Sequence, residues 1–540
     1  MVIKKLLVRN YKLLKDVTIE LNEDINIFVG ENDSGKSTVL EALSIITSGK
    51  LNGYAFDRQI KANFFNDIVR QEYRESLSDC RNAKEPPEII LEAYGNLDDA
   101  RYSGTNNILG ENCSGIRVRV SLNSEYADVY KQLLLNGEIY DIPVEFYTVS
   151  YHYFSGETVS FRFCPIKSAF IDTTRKDYSY MVDRFVSENI TTYLTLREQT
   201  DLSTAYRKNR HNFHGNDVVK RLNQSVRDNV HIDDRELTID LKEEDVDEWK
   251  RQMSAIVGET PFEYIGFGTQ NTIKVELALK NSDEQVNIVL MEEPENNLSY
   301  SNMAKLICHV QASTGKQVFI STHSSYVANK LDIGNLFLVC QGNILAFAQL
   351  PQDTKDYFKK LPGYDTLRVV LSSKVILVEG PTDELILQRA YFDEYGKLPI
   401  DDGIDVIVVD SLAFKRYCDI ATLLKKDIVI VTDNDGNIDA NINNKYKEYI
   451  SLPFFTFCYE NDETLKTIEP SLLEVNCENG NPTEKFKKAI SKNNSMMNKK
   501  KQDILDFISN NKAEWAMRVF DSSEKIIYPE YIKNAIKQFN

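Results

Sequence analysis

The chain has 540 residues, of which 42% are hydrophobic and 10% aromatic, with a formal net charge of −17. Its length exceeds what one hydrophobic core supports, so we expect two or three domains. The apolar content excludes a mainly disordered chain, and the acidic balance argues against a surface that binds polyanions everywhere.

The sequence also argues against a membrane-spanning protein and against a disulfide-rich protein. No stretch approaches the roughly 18 to 20 consecutive apolar residues of a membrane span, so we expect no membrane contact and a soluble cytoplasmic protein. The eight cysteines are dispersed without a CxxC pair, which indicates reduced thiols rather than a zinc site or a disulfide framework. Local basic patches exist at 206–214 and 485–501, although a solvated face is the simpler interpretation of each.

The first motif lies in "INIFVGENDSGKSTVLEALSIIT" (25–47), where a β-rich run passes into an amphipathic helical pattern. Its centre matches GxxxxGK[ST]. Two glycines let backbone N–H groups wrap phosphates, Lys36 reaches the β and γ oxygens, and Ser37 offers a hydroxyl to Mg²⁺. An accidental glycine-rich turn is the alternative. The predicted ATP- or GTP-binding residues here are Gly30, Asn32, Gly35, Lys36, Ser37 and Thr38.

The segment that follows carries less specific patterns. Residues 95–255 show no sustained heptads, which argues against a long coiled-coil arm. The stretch 178–255 is charged and mainly helical in pattern, as expected of a dimerising insertion or a solvated helical bundle.

The acidic residues needed for nucleotide hydrolysis are expected in "VNIVLMEEPENN" (286–297), which indicates an apolar strand that ends in two acids beside the phosphate loop. Glu292 would hold the water shell of Mg²⁺, and Glu293 would polarise the attacking water. A second apolar run, 317–329, places His323 to sense the γ-phosphate. Two surface acids at a strand end are the alternative.

This set resembles the ABC-type ATPase heads of the SMC, RecF and Rad50 group, and "RNYKLLKDVTIEL" (9–21) is similar to their first hairpin. The resemblance implies a signature loop, for which we nominate 264–277 through Gly266, Gly268 and Gln270. It also implies an ATP-linked dimer in which one subunit's signature closes on the other's nucleotide. The chain departs from the family in lacking the Ser-Gly-Gly core and in having Glu292 instead of Asp.

A domain boundary is expected near 350–372, and three strand-like runs follow it: 374–380, 404–411 and 427–437. Helical patterns separate them, so the sequence predicts a βαβαβ parallel sheet. The carboxyl ends of such strands converge, which would bring Glu379 together with Asp433 and Asp435. Three carboxylates in one crevice repel each other unless a divalent cation or protonation relieves them.

The segment that carries Glu379, Asp433 and Asp435 resembles a TOPRIM domain. A chain in which an ABC-type head precedes a TOPRIM domain resembles the OLD (overcoming lysogenisation defect) family of nucleases. That resemblance implies metal-dependent DNA cleavage, often in bacterial anti-phage defence, with one or two Mg²⁺ or Mn²⁺ ions. It implies metal ligands at Glu379, Asp383, Asp433, Asp435 and Glu469, and a phosphate contact from Lys512. Asp410 stands where many relatives have a Gly, and we favour a strand-end acid over the alternative of an extra metal ligand. Glu384 is interpreted as a helix-dipole partner.

The expected fold class is α/β, with an ABC-type head that contains a helical insertion and is followed by a TOPRIM sheet. The expected domains are 1–177, 178–255, 256–360 and 361–540. The leading functional hypothesis is an ATP-regulated DNA endonuclease or nickase that forms a homodimer or a higher oligomer. It would work with a helicase, or with a reverse transcriptase and its small DNA. The alternative is an ATP-driven DNA clamp or scaffold that does not cut, and primase or topoisomerase chemistry is a weaker third hypothesis.

Overall fold

The structure is a computed structural model of the chain. It describes residues 2–78, 82–161, 163–173, 194–229, 237–241, 248–251, 253, 255–280, 286–313, 315–340, 342–409, 413–493 and 495–539. The chain divides into two compact units, 1–322 with 339–345, and 323–338 with 346–540. No helix of the described residues is both long and apolar enough to cross a membrane.

The first unit contains a mainly antiparallel sheet. Its long strands are β1 (Ile3–Tyr11), β2 (Leu14–Glu20), β4 (Ile89–Gly95), β5 (Cys113–Leu122) and β6 (Tyr147–Tyr153), in the order β2-β1-β4-β5-β6. The short strand Ser103–Gly104 also pairs with β5. Strands β1 and β2 form the hairpin expected for 9–21, with Val8 opposite Val17. The helices α2 (Asp67–Ser76) and α3 (Ala127–Leu135) belong to the same part of the chain.

The second sheet of this unit carries the phosphate loop. Its strands are β3 (Ile25–Val29), β7 (Ser168–Asp172), β8 (Ile288–Glu292), β9 (Gln317–Ser321), β10 (Leu336–Cys340) and β11 (Asn343–Ala346), in the order β7-β8-β9-β3-β10-β11. The pairs β7-β8, β8-β9 and β9-β3 are parallel. Every residue of β8 and β9 is buried, as expected of parallel strands that are covered on both faces.

The helices around this sheet begin with α1 (Lys36–Ser48), which follows β3 directly and is almost wholly buried. The described part of the predicted insertion forms α4 (Leu196–His214), α5 (Asp217–Asn229) and α6 (Glu248–Arg251). Helix α4 has no buried residue, so the described neighbourhood gives it no core. The unit continues with α7 (Phe267–Lys280) and α8 (Tyr300–Ala312), and two-residue hairpins lie at 50–55 and 256–261.

The second unit is built on a four-stranded parallel sheet. Its strands are β12 (Lys374–Val378), β13 (Ile404–Val408), β14 (Ile428–Val431) and β15 (Phe455–Cys458), in the order β13-β12-β14-β15. The first three match the predicted runs. The sequence analysis missed β15, because "FFTFC" is short and lacks a chemical motif at its end.

Helices cover this sheet and enclose its core. In chain order they are α9 (Ser325–Lys330), α10 (Gln352–Lys360), α11 (Thr366–Leu371), α12 (Pro381–Tyr395), α13 (Phe414–Leu424), α14 (Lys447–Ile450), α15 (Ile468–Val475), α16 (Glu484–Ile490), α17 (Lys501–Asn510), α18 (Lys512–Asp521) and α19 (Glu530–Lys537). A two-residue hairpin lies at 477–482, and a short π-helix spans Asp439–Asn444. One continuous core joins Ile376, Leu472 and Trp515. This packing holds the carboxyl ends of β12 and β14 side by side.

Candidate nucleotide and metal sites

The loop between β3 and α1 has the geometry of a phosphate cradle. Gly35 adopts a left-handed φ of 111° at the start of α1, which lets the chain turn into the helix with its N–H groups facing the loop. A Cβ on Gly30 would lie 2.3 Å from the carbonyl oxygen of Val339 and 2.4 Å from the hydroxyl of Ser34. The loop therefore requires glycine at both predicted positions.

Lys36 lies across this loop. Its ammonium group donates hydrogen bonds to the carbonyl oxygens of Gly30 (3.0 Å) and Glu31 (2.8 Å), which fold the side chain over the cradle. Burial lowers the pKa of Lys36, although the charges of Glu293 and Glu292 oppose that effect. A phosphate in the cradle would give the ammonium a charged acceptor in place of two neutral ones.

Strand β8 brings its acids to the same loop. The hydroxyl of Ser37 donates to Oε1 of Glu292, which is buried at the end of the strand. A hydroxyl and a carboxylate in contact are the two protein ligands expected for a nucleotide-bound Mg²⁺. Asn32 is exposed at the loop tip, and Thr38 is buried in the first turn of α1.

Glu293 has an unusual backbone conformation, with φ of 44° in a residue that is not glycine. Its N–H donates to the carbonyl of Ser321 (2.9 Å), and its own carbonyl accepts from the hydroxyl of Thr173 (2.5 Å). Its carboxylate accepts from the amide of Asn296 at 2.8 Å. Thr173 and Asn296 are functional candidates that the sequence analysis missed, since neither belongs to a short motif.

The proposed signature residues have different surroundings. A Cβ on Gly266 would meet nothing within 4 Å, whereas one on Gly268 would lie 2.5 Å from the carbonyl oxygen of Asn297. Gln270 is buried, and its amide donates to the carbonyls of Phe262 (3.0 Å) and Ile265 (3.1 Å). Its side chain therefore fixes the loop before α7, and a role in a contact between subunits would be indirect.

His323 follows β9 by two residues and is exposed. It is the first residue of the second unit, so its role as a γ-phosphate sensor stays a prediction.

In the second unit, the predicted acids meet at the carboxyl edge of the sheet. Glu379 follows β12, and Asp433 and Asp435 follow the neighbouring β14. Burial, with the charges of Glu379 and Glu469 nearby, raises the pKa of Asp383 to about 7. Burial, with the charges of Asp383 and Glu379 next in order, raises the pKa of Asp433 to about 8. The carboxylates are close enough to oppose each other's ionisation.

Hydroxyl and backbone donors hold several of these acids in place. Oε1 of Glu379 accepts from the hydroxyl of Thr432 and from the N–H of Asp433 at 3.1 Å. Oε2 of Glu469, which is buried in the first turn of α15, accepts from the hydroxyl of Thr467 at 2.6 Å. These contacts leave the second oxygen of each carboxylate without a bond in the described part of the chain.

The loop after β14 is organised by Asn434, whose side chain is completely buried. Its amide donates to the carbonyls of Glu460 (2.8 Å) and Asp462 (3.1 Å), and its oxygen accepts from the N–H of Gly436 at 2.8 Å. The following residue, Asp435, has a left-handed φ of 47° and is exposed. Asn434 was not among the predicted site residues, but its hydrogen bonds hold the loop that carries both aspartates.

The donor set suits a hard divalent cation, because it consists of carboxylate oxygens that repel each other without one. Within the described ranges, however, no three of these side chains converge closely enough to enclose an ion as they stand. Binding would require the free oxygens to turn inward by side-chain rotation. The feature that indicates a metal site is the crowding of carboxylates, and not a complete set of ligands already in place.

Three further predicted residues have different outcomes. Glu384 lies in the first turn of α12, where a negative charge stabilises the helix dipole, and accepts from Gln388. Lys512 is the first residue of α18, and its role stays a prediction. Asp410 lies outside the described residues.

The fold and the two sites define a chain that joins a P-loop ATPase head to a TOPRIM sheet. Residues 1–257 match the family described as "AAA ATPase domain", and residues 370–435 match "Overcoming lysogenization defect protein-like, TOPRIM domain". The combination expected from the sequence is confirmed, and it fits the OLD family of nucleases. The nucleotide site and the divalent-metal site follow from these two domains.

Comparisons with individual proteins cover smaller parts or show only a distant likeness. The DNA replication and repair protein RecF of Glaesserella parasuis serovar 5 (strain SH0165) is 38% identical over 101 residues, or 18% of this chain. The match spans 27% of that relative's length. The SMC head domain from Thermotoga maritima is 13% identical, covering 64% of this chain and 99% of that one, with a TM-score of 0.31. A RecF–ATP structure is 11% identical, covering 64% and 98%, with a TM-score of 0.34.

Proposed function

We propose that the protein is a DNA endonuclease or nickase that depends on Mg²⁺ or Mn²⁺ and is regulated by ATP. The observation that supports this proposal best is the set of acids at the carboxyl edge of the second sheet, where Asp383 and Asp433 have pKa values raised to about 7 and 8. Carboxyl groups whose ionisation is opposed by burial and by each other's charge are characteristic of functional sites.

Each acid has an expected role in this proposal. Glu379, Asp433 and Asp435 would hold the first ion, and Asp383 with Glu469 would hold a second. When bound, such cations activate water and screen the charge of the leaving oxygen. Asn434, Thr432 and Thr467 orient the carboxylates, and Lys512 would contact the scissile phosphate.

The ATPase head would regulate cutting rather than drive it, because phosphodiester hydrolysis is thermodynamically downhill. Lys36 would bind the phosphates, and Glu293 would polarise the attacking water. Ser37 and Glu292 would hold the Mg²⁺, which their hydroxyl–carboxylate contact supports. Closure of a homodimer on nucleotide through Gly266 and Gly268 would align or block the nuclease sites. An anti-phage role beside a helicase, or a reverse transcriptase with its small DNA, is part of the same proposal.

Incubation of supercoiled plasmid with the full-length protein and Mg²⁺ or Mn²⁺ tests the nuclease proposal. Glu379→Ala and Asp433→Ala should each abolish nicking and linearisation, because each removes an oxygen ligand. Asp427→Ala is the matched control, since Asp427 is exposed at the opposite end of the strand that leads to Asp433, and it should cut like wild type. Full cutting by both site variants would refute the assignment.

A DNA clamp or scaffold that does not cut is the second candidate function. It is favoured by the absence, among the described side chains, of a trio that encloses an ion as it stands. A scaffold predicts ATP-dependent DNA binding in a filter assay and no cation-dependent products from any plasmid or linear substrate.

The regulatory role has its own test, which uses the nucleotide response. Lys36→Ala should remove the effect of ATP on cutting while leaving cutting without nucleotide intact. A wild-type response at every ATP concentration would rule out this coupling.

A further inference from the structure

Tyr446, in the segment that follows the acidic loop, has a buried hydroxyl without a hydrogen-bond partner in the described part of the chain. The residue is 0% exposed. Buried hydroxyls are normally bonded, because an unsatisfied one loses its hydrogen bonds to water without replacement. Phenylalanine would fill the same space without this cost, so the hydroxyl of Tyr446 needs a physical explanation.

The position of Tyr446 relates it to the loop of the acids. Its ring packs on Phe457 with centroids 5.1 Å apart, and Phe457 lies opposite Ile430 in the β14-β15 pair. Ile430 precedes Thr432 by two residues, and Thr432 donates to Glu379. The aromatic ring therefore lies beside the end of β14 from which the acidic loop begins.

The backbone before Tyr446 is tied to the same loop. The π-helix Asp439–Asn444 leads into Tyr446, whose N–H donates to the carbonyl of Ile442 at 2.9 Å. From within this segment, the amide of Asn441 donates to the carbonyl of Asn434 at 3.1 Å. π-Helical turns occur frequently at functional sites, where they redirect one side chain.

The charges of two of the predicted metal ligands act on the buried phenol. Burial raises the pKa of the Tyr446 phenol, and the next contributions come from Cys418, Glu379 and Asp435 in that order. Two predicted metal ligands thus act on a hydroxyl that donates to neither of them. Thr432 already occupies one oxygen of Glu379, and the exposed Asp435 faces solvent.

We propose that Tyr446 is a positioning residue of the cation site, whose hydroxyl gains an acceptor only when the carboxylates turn inward around the ion. The acceptor would be an oxygen of Glu379 or Asp435, or a water held between them. The proposal rests on the proposed metal site and deepens it. An unsatisfied donor in the cation-free protein becomes a bonded one in the loaded protein, which favours loading and fixes the ligand orientation.

Tyr449 provides the matched control within the same short segment. It is also buried, but its hydroxyl donates to Asp419 at 2.7 Å and so is already satisfied. Replacing either tyrosine by phenylalanine keeps the ring and removes one hydroxyl. The two variants therefore distinguish a hydroxyl that stabilises the fold from a hydroxyl that acts in cation binding.

The experiment measures Mn²⁺ binding by titration calorimetry on the full-length protein without nucleotide or DNA, together with thermal unfolding in EDTA. Tyr446→Phe should weaken Mn²⁺ binding about tenfold, as expected for loss of an outer-sphere partner, and should leave the melting temperature in EDTA equal or higher. Tyr449→Phe should bind Mn²⁺ like wild type and melt at a lower temperature.

A third variant, Glu379→Gln, identifies which heat of binding belongs to this site and should remove it. Unchanged Mn²⁺ binding in Tyr446→Phe, with binding lost in Glu379→Gln, overturns the role of Tyr446 and leaves the metal site standing. A lower melting temperature of Tyr446→Phe in EDTA also overturns it, because the hydroxyl would then already serve the fold. Retained binding in Glu379→Gln refutes the metal site itself.

Discussion

The crowded acids predict that neutralising one of them stabilises the protein in the absence of metal. Asp433→Asn keeps the size and shape of the side chain but removes the charge that Asp383 and Glu379 oppose. A site that holds mutually repelling charges for function lowers the stability of the fold, so removing one of these charges should raise it.

The magnitude follows from the raised pKa. The ordinary value is 3.8 and the folded value is about 8, so full ionisation costs at most about 6 kcal/mol at about 1.4 kcal/mol per pH unit. In the wild type, a proton bound at either Asp433 or Asp383 already relieves the repulsion between the two carboxylates. The Asp433→Asn substitution therefore recovers only a part of the cost of about 6 kcal/mol. We expect on the order of 2 kcal/mol, or a rise of roughly 6 °C in the melting temperature of the second unit.

The pH dependence gives the sharper test. Below about pH 4 the Asp433 carboxyl is protonated in both the folded and the unfolded chain, and its penalty is absent. As the pH rises towards about 8, the unfolded chain ionises freely while the folded one resists, so wild-type stability falls and then levels off. The advantage of Asp433→Asn should therefore grow from pH 5.5 to 8.5, which covers the upper part of the window from about 4 to about 8 that these pKa values set.

The assay is differential scanning calorimetry of the full-length protein in EDTA at these two pH values, repeated with excess Mg²⁺. Asp427→Asn is the control and should show neither effect. With Mg²⁺ the order should reverse, because the cation stabilises the wild type through binding. If Asp433→Asn melts lower than wild type in EDTA, or if its advantage is the same at both pH values, the carboxylates do not repel each other as argued.

Three further predictions concern single contacts. Gly30→Ala should lower ATP affinity at least about tenfold in fluorescence titrations, because its Cβ would lie 2.3 Å from the carbonyl oxygen of Val339. Asn434→Ala should lower the free energy of unfolding by about 2 kcal/mol in urea titrations, since it removes three hydrogen bonds made by a completely buried side chain. Thr432→Val should reduce cation-dependent cutting about tenfold, with Thr432→Ser restoring it, because the hydroxyl orients Glu379. Equal activity of Val and Ser at this position would contradict that role.

The sequence predicted those parts of the fold in which local pattern and chemistry coincide. The run 25–47 combines a strand, a glycine loop and a helical period, and β3 and α1 follow it closely. The runs that end in Glu379 and Asp433 are uniformly apolar because parallel strands are buried on both faces, so their ends could be located. Convergence of those ends is a property of parallel sheets, which made the approximate site predictable too.

What the sequence could not predict depends on contacts between distant residues. Thr173 reaches Glu293 across 120 positions, and nothing near Thr173 marks it. Strand β15 is recognisable only by its pairing with β14. The unpartnered hydroxyl of Tyr446 is a property of its burial, since its immediate sequence resembles that of an ordinary helix end. Contacts of this kind have no local pattern to detect.

The two sites share a device that explains how an acid at the end of a buried strand is kept ready for a cation. Ser37 donates to Glu292 in one unit, and Thr432 donates to Glu379 in the other. A carboxylate with no donor would be costly in the cation-free protein. At Glu379 the N–H of Asp433 adds a second bond to the same oxygen, so the hydroxyl is the donor that can be exchanged without moving the backbone. A hydroxyl can rotate away or become a ligand itself, at a net cost of about 1 kcal/mol. Asp433 accepts no such bond from the described residues, and burial with the charges of Asp383 and Glu379 raises its pKa.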